Sequence, residues 1–152
     1  MLPFRKIIAP TDFSDPARTG VSAAVELAAA YSAELILVYA VPRLPLVPAP
    51  NGAGAAGQVA LEQDIRESAQ KALEETVGQL PEGVAARHRV LSGDPAGQIV
   101  QAAREEGADL IVMATHGETG WRRFVSGSVA EKVVRLAECP VLSVHSPGQP
   151  ED

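Results

Sequence analysis

Short apolar runs and longer stretches of helical periodicity take turns along the chain. Ile7-Ile8-Ala9 within Phe4 to Pro10, Leu35 to Val41, Asp109 to Met113 and Val141 to His145 are nearly continuous apolar segments, the pattern of strands covered on both faces. Between them, apolar residues recur every three or four positions: Val21, Ala24, Val25, Ala28 and Tyr31; then Leu61, Ile65, Ala69, Ala72, Leu73, Thr76 and Leu80; then Ile99, Val100 and Ala103; finally Val129, Val133, Val134 and Leu136. Each set predicts a helix with one inward stripe. Val84 to Leu91 is a further strand, but Arg87, His88 and Arg89 make it more polar than the others and place it at a sheet edge. Strands alternating with helices predict an α/β domain whose parallel sheet carries helices on both faces.

Local punctuation supports this division. Ser14-Asp15-Pro16 and Ser92-Gly93-Asp94-Pro95 set a capping side chain before a first-turn proline, and Gly107 closes the third helix. Pro81-Glu82-Gly83 ends the second. From Pro42 to Gly57, four prolines and three glycines without periodicity predict a loop, with Leu44, Leu46 and Val47 free to dock. Residues 1–146 are expected to form one domain and 147–152 a polar tail.

Composition narrows the functional classes. The 152 residues, 46% of them hydrophobic, suffice for one core. A net charge of −6 without a long basic run argues against nucleic acid as partner. Cys139 is the sole cysteine and reads as a small buried apolar residue. Neither a signal-peptide core nor a membrane-length apolar run is present, so a soluble, cytoplasmic protein with no membrane partner is expected. The charged positions of the second helix read as a solvated face.

The candidate chemistry lies where the fourth strand runs into the last helix. Met113-Ala114-Thr115-His116-Gly117-Glu118-Thr119-Gly120, with Gly127-Ser128 downstream, forms a glycine-rich junction between the two elements. A helix N-terminus leaves backbone N–H groups unpaired and carries partial positive charge, so an anion such as phosphate is well received there. Gly117, Gly120 and Gly127 permit close backbone approach. Ser128 offers a hydroxyl, and Arg122 and Arg123 add positive charge. Helix capping by Ser126 or Ser128 is the alternative. No Gly-Lys-Ser/Thr ending is present, and the loop follows a late strand, so neither the P-loop nor the dinucleotide fingerprint fits. His116 with Ser126 or Ser128 supplies a base and a nucleophile without a third orienting group, so no catalytic residue is assigned. His88 and His145 lack metal-ligand spacing.

Ala114-x-x-Gly117, nine intervening residues and Gly127-Ser128, followed by Val129-Ala130-Glu131-Lys132-Val133-Val134-Arg135, resembles the nucleotide loop of universal stress proteins. Lys6-Ile7-Ile8-Ala9-Pro10-Thr11-Asp12-Phe13-Ser14 resembles that family's opening, and Cys139-Pro140-Val141-Leu142-Ser143-Val144 its close, so the likeness spans the chain. It implies a Rossmann-like open five-stranded parallel sheet in the order 3-2-1-4-5 and a homodimer formed through the last strand, Val141 to His145. Strands one and four would then be neighbours at the switch point, where open α/β sheets bind ligands.

Residue by residue, the resemblance implies that Asp12 lies near the ribose hydroxyls or adenine of ATP, with Pro10 and Thr11 shaping that wall and Ala40 at the adenine edge. Gly117, Gly127, Ser128 and Val129 would hold the phosphates through backbone N–H groups and the serine hydroxyl, with Met113 and Ala114 also in the nucleotide site and His116 packing beside the ligand. Capping by Asp12, a core role for Ala40 and inward packing of the Val129 side chain remain open alternatives. Ala114 stands where the family pattern has glycine. Glu118 is unfavourable beside phosphate unless it faces solvent, pairs with Arg122 or Arg123, or helps hold a divalent cation such as Mg²⁺ or Mn²⁺. The implied function is an ATP-binding stress-response protein. A nucleotide-independent interaction module and a slow ATP hydrolase are the alternatives.

Overall fold

The computed structural model describes residues 2–45, 53–115 and 129–145. Its elements in chain order are β1 (Lys6–Pro10), α1 (Asp15–Tyr31), β2 (Glu34–Val41), α2 (Ala53–Gly78), β3 (Ala86–Ser92), α3 (Pro95–Glu106), β4 (Leu110–Ala114), α4 (Val129–Leu136) and β5 (Val141–Val144). The strands pair in parallel in the order β3-β2-β1-β4-β5. Both the α/β class and the implied strand order are thus observed.

Alternation within the strands divides the core. Ile7, Ala9, Leu35 and Leu37 face one layer, where Val21, Ala24 and Ala28 of α1 and Leu73 of α2 complete the packing. Ile8, Ile36 and Val38 face the other, against Ile99, Val100 and Ala103 of α3 and Ala130 and Val133 of α4. Among the described residues ten large side chains are almost wholly enclosed, Ile7, Ile8, Leu35, Ile36, Leu37 and Leu73 among them, each contributing about 1.5–3 kcal/mol of transfer free energy. Among the described residues no helix is long and apolar enough to cross a membrane.

The caps form as the sequence predicts. Ser14 accepts a hydrogen bond from the Ala17 N–H, Asp94 accepts one from Gly97, and Gly107 closes α3 at φ 62°. β3 lies at the edge, and its arginines are held by carboxylates. Arg87 bonds Glu34 at 2.7 Å and also pairs with Glu106, while Arg89 reaches Glu106 at 2.8 Å and Glu105 at 2.9 Å. The Arg87 hydrogen bond, reinforced by Arg89, holds the Glu106 carboxyl down to about 2.

Five expectations need correction. Helix α2 begins at Ala53, inside the segment expected to be a loop, and β3 begins at Ala86 rather than Val84. Leu61 of α2 is 50% exposed instead of inward, whereas Ala69 and Leu73 are buried. The reason is length: 26 residues of helix extend about 39 Å, but the seven residues of β3 cover only about 23 Å, so the first turns of α2 overhang the sheet. Tyr31 is 37% exposed and meets Phe4 edge to face, 5.2 Å between centroids, at the rim of the core. Val129, Val134 and Leu136 are also exposed, since in a helix of eight residues Ala130 and Val133 alone point into the cluster.

Candidate functional site

The carboxyl ends of β2, β1 and β4 lie side by side. Pro10 pairs in register with Val38, so Ala40 lies two residues further along β2, and two residues beyond the Ile8–Ile111 pair come Pro10 and Met113. Pro10, Thr11, Asp12, Ala40, Met113 and Ala114 therefore share one edge of the sheet. The strand order reverses direction here, between β1 and β4, which is where open α/β sheets bind ligands.

Each strand leaves this edge under restraint. Thr11 N–H extends the ladder to the Val38 carbonyl at 2.9 Å, Gly93 N–H bonds Val41 at 3.2 Å, and Thr115 N–H bonds Val144 at 3.0 Å. Thr11 is buried, but Asp12 is exposed. Oδ1 of Asp12 accepts the Ser14 N–H at 3.0 Å and the Ser14 hydroxyl as well. Ser14 itself is the N-cap of α1, so Asp12 buttresses the cap instead of supplying it. Ala40 and Pro10, at the same edge of the sheet, are partly covered. Met113 is buried to 5% exposure and belongs to the α3–α4 core layer. Val129 opens α4 with its side chain 38% exposed, contrary to inward packing.

His116, Gly117, Gly127 and Ser128 lie outside the described residues, as do Glu118, Arg122, Arg123 and Ser126. Thr115 is the last described residue before that connection, and its hydroxyl lies 3.3 Å from Nδ1 of His145, the residue after β5. No group of three or more histidine, cysteine, aspartate or glutamate side chains able to hold a metal ion occurs among the described residues. Cys139 is half-buried against the α3–α4 layer, and burial pushes its thiol up, away from the reactive thiolate.

Two residues that sequence patterns did not single out bear on this edge. Gly20, in the middle of α1, lies under the end of β4: a Cβ there would stand 2.7 Å from the Ala114 nitrogen and 3.1 Å from the Met113 carbonyl carbon. It lets α1 press against the strand end that begins the glycine-rich loop. An unexplained glycine inside an otherwise regular amphipathic helix was the available signal. Phe13, directly after Asp12, has φ 65°, and its ring stacks on Tyr39 of β2 with centroids 5.4 Å apart.

Comparison with known proteins follows the same outline. A family model described as universal stress protein family matches residues 3–145. Universal stress protein MJ0531 of Methanocaldococcus jannaschii is 39% identical over 146 residues, 95% of this chain and 84% of that protein. The solved structure of MJ0577 from the same organism superposes with a TM-score of 0.81 at 26% identity, covering 95% of this chain and 98% of that one. A universal stress protein crystallised in complex with cAMP gives a TM-score of 0.69 at 26% identity, covering 95% and 99%.

Proposed function

The chain belongs to the universal stress protein family, and from that premise we propose that it is an ATP-binding stress-response protein whose nucleotide state alters its interactions. The observation that carries this is the meeting of Pro10–Asp12, Ala40 and Met113–Ala114 at one switch point of the sheet. The relative that binds cAMP supports an adenine nucleotide as the ligand class. The residues present suit such a ligand. Asp12 offers a carboxylate for ribose hydroxyls, and Pro10 and Ala40 offer an apolar wall for a base. Met113 and Ala114 lead into the loop where Gly117, Gly127, Ser128 and the N–H of Val129 are proposed to hold the phosphates, with His116 beside the ligand.

ATP brings the phosphate charge that the amino-terminal end of α4 would receive, with Mg²⁺ or Mn²⁺ as its counter-ion. Binding rather than turnover is assigned to the chain, with hydrolysis at most slow. The exposed Leu142 on β5, an edge strand, favours a homodimer formed along Val141 to His145. A cytoplasmic location belongs to the same proposal. Ala114, at a position where the family pattern has glycine, favours the second reading, a nucleotide-independent interaction module.

Calorimetric titration with ATP tests the choice. Saturable binding is expected, and Gly117→Val should abolish it by intruding on the phosphate path. No heat of binding to the unmodified protein would favour the interaction module, and an unchanged affinity in Gly117→Val would remove the loop from the site.

A further inference from the structure

The geometry points to Phe13 as a positioning residue that aims the Asp12 carboxylate at the nucleotide ribose, acting through its stack on Tyr39; this rests on the ATP-binding reading above. Left-handed backbone is rare for a bulky side chain, so it persists where surrounding contacts enforce it. Three contacts enforce it here. The Phe13 N–H donates to the Thr11 hydroxyl oxygen at 3.0 Å, the ring stacks on Tyr39 at an interplanar angle of 21°, and the next residue, Ser14, bonds back to Asp12 Oδ1.

The consequence is directional. Phe13 and Tyr39 both pack on the α1–α2 layer of the core. With the ring turned into that layer, the chain reverses between Asp12 and Ser14, which leaves Asp12 exposed between two buried residues, Thr11 and Ser14. Tyr39 is also the immediate neighbour of Ala40, so one ring pair ties the β1 connection to the strand that supplies the base wall. A ring at position 13 therefore sets the Asp12 carboxylate relative to Ala40 without itself touching the ligand.

The test uses the full chain and two probes, ATP and 2′,3′-dideoxy-ATP, which lacks the ribose hydroxyls. Phe13→Gly accepts the left-handed backbone more readily than phenylalanine and so keeps the fold while removing the ring. Tyr39→Leu removes the partner ring from within a strand that stays apolar. Both should weaken ATP about tenfold, as Asp12→Asn should, and leave dideoxy-ATP within about twofold of the unmodified protein. Phe13→Tyr should restore ATP affinity, and Asp12→Asn combined with Phe13→Gly should lose no more than Asp12→Asn alone. If Asp12→Asn weakens ATP but Phe13→Gly does not, or if Phe13→Gly weakens both probes equally, the positioning role is overturned while the ATP site stands. If the unmodified protein binds neither probe, or Asp12→Asn binds ATP as well as it does, the underlying site assignment fails instead.

Discussion

Gly20→Ala sets two opposing and separately known effects against each other at one atom. In a helix interior, alanine is favoured over glycine by about 0.5–1 kcal/mol, so the substitution should stabilise α1 taken alone. The new methyl would, however, lie 2.7 Å from the backbone nitrogen of Ala114 and 3.1 Å from the carbonyl carbon of Met113. These atoms belong to a strand hydrogen-bonded between β1 and β5 and cannot swing aside as a flexible side chain would. Overpacking of this kind costs about 1–3 kcal/mol, and the backbone contact places Gly20 toward the upper part of that range. The net expectation is a loss of about 1–2 kcal/mol, a fall in Tm of about 2–8 °C for a chain of this size.

Gly57→Ala is the internal control. It too replaces a helical glycine, but nothing lies within 4 Å of its Cβ position, so a gain of about 0.5–1 kcal/mol is expected. Thermal and urea unfolding of both variants measure the difference. Because the methyl pushes on Met113 and Ala114, Gly20→Ala should also weaken ATP binding. A Gly20→Ala protein as stable as the unmodified one, or more so, would refute the close packing of α1 against the end of β4.

Other consequences can be measured independently. The Glu106 carboxyl is held near 2, below its ordinary 4.5, chiefly by the hydrogen bond from Arg87. Its contribution is therefore complete above about pH 4.5 and lost as pH falls toward 2, so the urea midpoint of the unmodified protein should drop more steeply across that window than that of Glu106→Gln. The difference should reach about 1–2 kcal/mol once solvent screening of the partly exposed arginines is allowed for, and parallel profiles would reject the network. Asp94→Ala, which removes the acceptor for the Gly97 N–H at 3.0 Å, should cost about 0.5–2 kcal/mol in urea unfolding. Leu142→Lys places a charge on the exposed edge of β5 and should convert a dimer to a monomer in sedimentation; an unchanged sedimentation coefficient would move the interface elsewhere.

Layer alternation, the caps at Ser14 and Asp94 and the polar edge strand were legible because each depends on neighbours in sequence. Arg87 and Arg89 marked β3 as an edge strand, although the carboxylates that pair with them come from β2 and α3. The start of α2 was harder to read. Ala53 to Gly57 is rich in small residues, and contacts across the connection accompany this part of the helix: Gln58 and Glu62 hydrogen-bond the backbone of Leu44. Periodicity also set Leu61 on the inward stripe, but cannot tell how far a helix outruns its sheet. Of the candidate site, the family likeness points to Pro10 to Asp12, Ala40 and Met113–Ala114, and the sheet brings these segments together. Gly20 and Phe13 were not nominated, since a close helix–strand approach and a left-handed φ held by a distant ring are properties of the assembled fold.

The most direct test of the central claim needs no added ligand. Protein purified without nucleotide, then denatured and filtered, should release an adenine nucleotide identifiable by chromatography and mass spectrometry, and Gly117→Val prepared in parallel should release none. A filtrate free of nucleotide, together with no calorimetric binding of ATP by the same preparation, would contradict the account.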